Sequence, residues 1–117
     1  MSLALGRTLL CGEPLDRVQS FAEPLRARAM PRSYLTDPQT LAASDLVIYL
    51  APPDLGRLDR EALLAQVRTL ATTHAPCRVA AVIEGDRQAT LETLRFLQDA
   101  PAVTGQVFSA SPQQYSA

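Results

Sequence analysis

Three short apolar runs, each halted by glycine or proline and each followed by a stretch of helical spacing, limit what this chain can fold into. Thr8-Leu9-Leu10-Cys11 is closed by Gly12, residues 45–51 (Asp-Leu-Val-Ile-Tyr-Leu-Ala) by Pro52-Pro53, and residues 78–83 (Arg-Val-Ala-Ala-Val-Ile) by Gly85-Asp86. Apolar runs without polar alternation mark strands covered on both faces, which is the condition of a parallel sheet. Parallel neighbours need a crossover, and the segments between the runs supply one each time.

After the first run, Leu15, Val18, Phe21, Ala22, Leu25 and Ala29 recur at helical spacing. They predict an amphipathic helix opened by Pro14 and kinked or ended near Glu23 by Pro24, which removes a backbone donor. Residues 32–35 read as a second extended piece, and Gln39 to Ala43 as one helical turn. Between Asp59 and Thr73, the stripe Ala62, Leu63, Val67, Leu70 and Ala71 predicts a helix capped by Asp59. Leu91, Leu94 and Leu97 predict another over 88–99, and residues 105–109 a last strand. The alternation gives a three-layer Rossmann-like α/β fold of flavodoxin-like size, with a mainly parallel five-stranded sheet and helices on both faces. Two strand orders satisfy it, 3-2-1-4-5 and 2-1-3-4-5.

At 117 residues and 47% hydrophobic content, the chain reads as a single domain over 1–117 with a core of its own. Its net charge of -1 and scattered arginines argue against a nucleic-acid partner. Two cysteines, Cys11 and Cys77, each beside an apolar run, read as buried free thiols of a reducing compartment. No run of about 18 apolar residues and no basic-then-apolar leader is legible, so the expectation is a cytoplasmic protein without membrane contact.

All 11 basic residues are arginine, and there is no lysine. Arginine stays protonated and serves neither as a tunable base nor as a Schiff-base amine, and a Walker-A loop cannot be completed without lysine. His74, the single histidine, sits at a helix end and reads as a surface imidazole. Glu84 and Asp86 alternate along an extended end, which sends them to opposite sides and makes them turn residues rather than a carboxylate pair. No residue set suggests a metal.

In an open parallel sheet, ligands sit beyond the carboxyl ends of the strands. That rule selects Cys11-Gly12-Glu13, Ala51 to Asp54, Glu84 to Asp86 and Ser109-Ala110-Ser111. Their plain alternative role is to turn the chain and cap helices.

Several fragments share an order with a known family. Leu9-Leu10-Cys11-Gly12 followed by Leu25-Arg26-Ala27-Arg28-Ala29, then Leu35 to Leu41, Asp45 to Pro52, and Val107-Phe108-Ser109-Ala110-Ser111-Pro112-Gln113-Gln114-Tyr115 resemble the extended or atypical short-chain dehydrogenases, the epimerase-like group. The resemblance implies a strand-end crevice lined by Gly12, Ala51 and Ser111, with Ser111 at the position of the family's catalytic serine. NAD(P) is the cofactor it would imply.

The departures bear directly on that implication. Where the family has Gly-x-x-Gly-x-x-Gly, this chain reads Gly12-Glu13-Pro14-Leu15-Asp16-Arg17-Val18. One glycine remains, Pro14 removes an amide, and Glu13 and Asp16 bring negative charge where a diphosphate would lie, with Arg17 the one counter-charge. The family's catalytic tyrosine and lysine would fall beyond Ala117. A degenerate GTPase-like fold and a receiver-like domain are rival resemblances, both lacking their defining motifs.

Two functions follow from these residues. The first is a non-catalytic Rossmann-like domain, without cofactor, that acts on a protein partner or as a homo-oligomer through Val103, Val107 and Phe108 on an edge strand. The second is an NAD(P)- or nucleotide-binding oxidoreductase- or epimerase-like domain without its catalytic Tyr-Lys half.

Overall fold

The computed structural model describes residues 7–110. Five strands form one fully parallel sheet: β1 (Thr8–Cys11), β2 (Arg28–Met30), β3 (Leu46–Ala51), β4 (Arg78–Ile83) and β5 (Gln106–Ser109). Their spatial order is β2-β1-β3-β4-β5, the second of the two orders the sequence allows. Every residue of β1 and β3 is buried, as their unbroken apolar runs require.

Alternation along the strands divides the core into two layers. Leu9, Cys11, Val47, Tyr49, Val79 and Ala81 face α3 (Arg57–Thr73) and a short irregular cover made of the 3-10 turn Arg32–Thr36 and α2 (Pro38–Ala42). Leu10, Ile48, Leu50, Ala80 and Val82 face α1 (Leu15–Leu25) and α4 (Arg87–Gln98). Both faces of the sheet are thereby covered, and the α/β architecture read from the sequence holds.

The helix after β1 ends where Pro24 foretells. α1 stops at Leu25, and Arg26 turns left-handed at φ 57. Arg26 N–H donates to the Glu23 carbonyl at 3.1 Å and Ala27 N–H to that of Ala22 at 3.0 Å, the paired bonds of a Schellman stop. Pro24 has no N–H for the Ser20 carbonyl one turn back, and the Arg87 guanidinium of α4 donates to that oxygen at 3.0 Å instead. A helix defect thus becomes a tie between α1 and α4.

Several local expectations need correction. The second strand is Arg28–Met30, not 32–35; residues 32–36 form the 3-10 turn, which buries Leu35 against the sheet. Ala29, read as the end of the first helical stripe, lies in that strand. α3 begins two residues before Asp59, with Gly56 at its cap and no side-chain cap bond, so Asp59 sits in the first turn and favours the positive end of the helix dipole rather than capping the helix. Asp86, read as a turn residue, caps α4 by accepting the Ala89 N–H at 2.8 Å. Val107 and Phe108 lie on the edge strand as expected but are half-buried, packed on opposite core layers, whereas Val103, read with them, falls in the loop before β5 and is itself half-buried.

Candidate functional site

With the order β2-β1-β3-β4-β5, the connection from β1 runs outward to β2 while β3 lies on its other side, so the switch point falls between β1 and β3. Gly12 leaves β1 there, Ala51 ends β3, and Glu84 follows β4. Gly12 and Ala51, both picked from the sequence, are brought to this crevice and both are buried. Ser111 lies outside the described residues.

Gly12 is required by a close backbone approach. Its N–H donates to the Met30 carbonyl at 3.1 Å, and a Cβ on it would stand 2.9 Å from the Leu50 carbonyl oxygen and 3.1 Å from Val18 Cγ2. The space that a glycine in this turn could open to a ligand is therefore already taken by the protein. The Ala51 carbonyl is likewise engaged, accepting the Glu84 N–H at 3.0 Å.

Over this turn lies Arg17, from the first turns of α1. Its guanidinium donates to the Glu13 carbonyl at 2.8 and 3.1 Å and to the Leu50 carbonyl at 3.1 Å, and it pairs with the Glu84 carboxylate. The two side chains are 22% and 19% exposed, enough burial to make the pair a structural fixture rather than a surface contact. Three strand ends, of β1, β3 and β4, are tied together by one guanidinium. Arg17, which the sequence offered only as a counter-charge for a diphosphate, has its charge satisfied by Glu84. At the start of α1, Pro14 carries no N–H, and the Arg17 N–H is held by Asp16 Oδ1 at 3.0 Å.

Beside this plug, toward α3, the end of the sheet is more open. Arg32 places its guanidinium 5.3 Å from the ring centre of buried Tyr49, a cation–π arrangement. Two adjoining grooves, of about 370 and 330 Å³, share Arg32 and Gln66 in their walls. Tyr49, Pro52 and Asp59 line one, and Glu13, Ser33 and Thr36 the other. Sequence reasoning missed Arg32, Tyr49 and Gln66, because nothing local joins three residues spaced so far apart.

The remaining candidates carry plain roles. The Cys11 thiol, fully buried and donating to the Ile48 carbonyl at 3.7 Å, is pushed up to about 12 by burial, with the Arg32 charge offsetting part of it. It is a small core residue, not a thiolate. Cys77 is also raised, by burial first and by Asp45 second, against the pull of Arg78. His74 ends α3, its N–H bonded to the Leu70 carbonyl at 2.9 Å. Glu84 and Asp86 are separated in role, one pairing with Arg17 and the other capping α4. Among the described residues, no three His, Cys, Asp or Glu side chains are grouped to hold a metal, and no helix is long and apolar enough to cross a membrane.

The family described as short chain dehydrogenase-like protein has a model that matches residues 8–110, from the first residue of β1 to the residue after β5. The chain belongs to this family. No curated protein and no solved structure matches it. Membership in the short chain dehydrogenase-like family gives a Rossmann-like, nucleotide-binding type of domain, in agreement with the sheet order and the crevice at its switch point. Ser111 follows directly after the matched segment.

Proposed function

We propose that this short chain dehydrogenase-like domain works through protein contacts, as a subunit, adaptor or regulatory module, and not by turning over a dinucleotide. The observation that carries this reading is the Arg17–Glu84 pair seated over Gly12. A diphosphate approaching the first βα turn would have to displace a guanidinium from two carbonyls and a carboxylate, and would then meet Glu13 and Asp16. Breaking a mostly buried pair of this kind costs about 3 kcal/mol or more, a penalty that the missing amide of Pro14 makes harder to recover.

A contact surface is available on the far edge. Phe96 on α4 is 53% exposed and meets Phe108 of β5 edge to face, with ring centres 6.2 Å apart. Aromatic side chains beside a strand that pairs on one side only among the described residues are suited to a partner or to a second copy of the chain. Sedimentation of the full chain and affinity capture test the reading together. The expected result is a dimer or a specific partner, lost in Phe96→Glu; a monodisperse monomer that captures nothing would overturn it.

A second reading rests on Arg32, stacked on Tyr49 where two grooves meet at the switch point. It makes the domain an NAD(P)- or nucleotide-binding oxidoreductase- or epimerase-like unit. A thermal shift with NAD, NADP, GTP and nucleotide sugars separates the two, since a ligand of the folded state raises the melting temperature by mass action. The first reading expects no shift at millimolar ligand.

A further inference from the structure

A different groove lies at the opposite end of the sheet, away from the switch point. The connection between β2 and β3 covers its face with only a 3-10 turn and a one-turn helix, so the amino ends of β1 and β2 remain partly uncovered. What results is a groove of about 390 Å³, with Leu9 and Met30 in its floor and Tyr34, Gln39, Thr40 and Ser44 among its walls.

Three arginines reach this groove from three separate places: Arg7 before β1, Arg26 at the left-handed stop of α1, and Arg28 opening β2. Among the described residues, no carboxylate stands within 4.0 Å of any of the three guanidinium groups. The acids nearby are otherwise occupied. Asp37 lines the groove and accepts the Thr40 hydroxyl, while Asp45 accepts the Arg7 backbone N–H at 2.8 Å. A chain of net charge -1 has thus gathered three of its 11 arginines around one concave site against one lining aspartate.

Three like charges around one lining carboxylate leave a net positive site, and an anion placed among them lowers their repulsion while meeting several forked donors at once. We infer that the groove bounded by Arg7, Arg26 and Arg28 binds a small phosphate-bearing molecule, its phosphate held by the guanidinium groups and its remainder against Met30 and Tyr34. The groove is concave and of the size of a small-molecule site, which favours a compact ligand over a nucleic-acid strand. This inference is independent of the proposal for the switch-point end, because none of Arg7, Arg26 and Arg28 takes part there.

The test is a titration of the full chain with inorganic pyrophosphate at low ionic strength, followed by nitrogen-resolved NMR of backbone amides and arginine side chains. Saturable shifts are expected at Arg7, Arg28, Thr40 and Ser44. Arg28→Gln and Arg26→Gly should each weaken binding about tenfold, the loss expected for one charged hydrogen-bond donor. Arg26→Gly keeps the fold, since glycine suits the left-handed backbone there. Arg57→Gln, whose guanidinium lies on exposed α3 beside Glu61, should bind as the parent does. Equal weakening in Arg57→Gln, shifts spread without saturation over all exposed arginines, saturation only around Arg32, or preference for citrate or a single-stranded oligonucleotide would each overturn the inference.

Discussion

The Arg17 guanidinium donates to the Leu50 carbonyl oxygen at 3.1 Å, so a side chain of α1 closes the carboxyl end of the neighbouring strand β3. Together with Glu84 and the Glu13 carbonyl, this contact turns the place where a nucleotide fold is usually most open into part of its internal bonding. The consequence is measurable as stability.

Arg17→Ala removes every donor of that arrangement and leaves the Glu84 carboxylate mostly buried without its partner. A loss of about 3 kcal/mol is expected. Glu84→Gln keeps an acceptor for the guanidinium and should lose only about 1 kcal/mol. Urea unfolding of both single variants and of the double variant checks this, and the double should fall well short of the sum because the two residues form one unit.

Gly12→Ala would set a methyl group 2.9 Å from the Leu50 carbonyl oxygen, which is backbone and cannot rotate away. The expected cost is about 2 kcal/mol, typical of overpacking a tight site. In urea, the midpoint should fall with the slope unchanged, because the exposed surface on unfolding is the same.

Arg26 occupies a left-handed position with φ 57 that a glycine would hold without crowding its Cβ. Arg26→Gly should therefore stabilise the fold by about 1 kcal/mol, even though it deletes a side chain. The same denaturation measurement decides the sign.

Cys11 gives the chain a distinctive alkaline limb. Its thiol is raised from 9.0 to about 12 by burial, so between these values the folded chain retains a proton that the unfolded chain has released. Its contribution is fully present below pH 9.0 and is lost as pH rises toward 12, with a slope of about 1.4 kcal/mol per pH unit. Cys77, also raised, acts in the same direction. Because the chain has no lysine, no side-chain ammonium titrates in that window. Stability measured on the alkaline side of pH 9.0 should fall steeply in the parent and less steeply in Cys11→Ala.

What the sequence disclosed followed the strength of its local signals. β1, β3 and β4 are legible because continuous Leu, Ile and Val runs have few places to go except the middle of a parallel sheet. β2 is not, since Arg28-Ala29-Met30 contains no β-branched or aromatic residue and Ala29 continues the spacing of α1. It becomes a strand through pairing with Leu9, Leu10 and Cys11 once Pro24 and Arg26 have ended the helix. Asp59 misled because an acid in a first turn and an acid at a cap look alike in sequence. At the site, the position of Gly12 was legible and its occupant was not. Arg17 and Glu84 meet across 67 residues of chain, and such a meeting depends on strand order, which residue pattern left open between two arrangements.

The division of the core into two sheets of packing has one more effect. Leu10 and Cys11 are bonded neighbours, yet they belong to opposite sides of a wall of hydrogen-bonded backbone, while Leu10 and Leu94 share a side. Energetic communication inside this molecule therefore follows side membership, not distance along the chain. A pair of replacements on one side should therefore depart from additivity, while a pair split between the two sides should add.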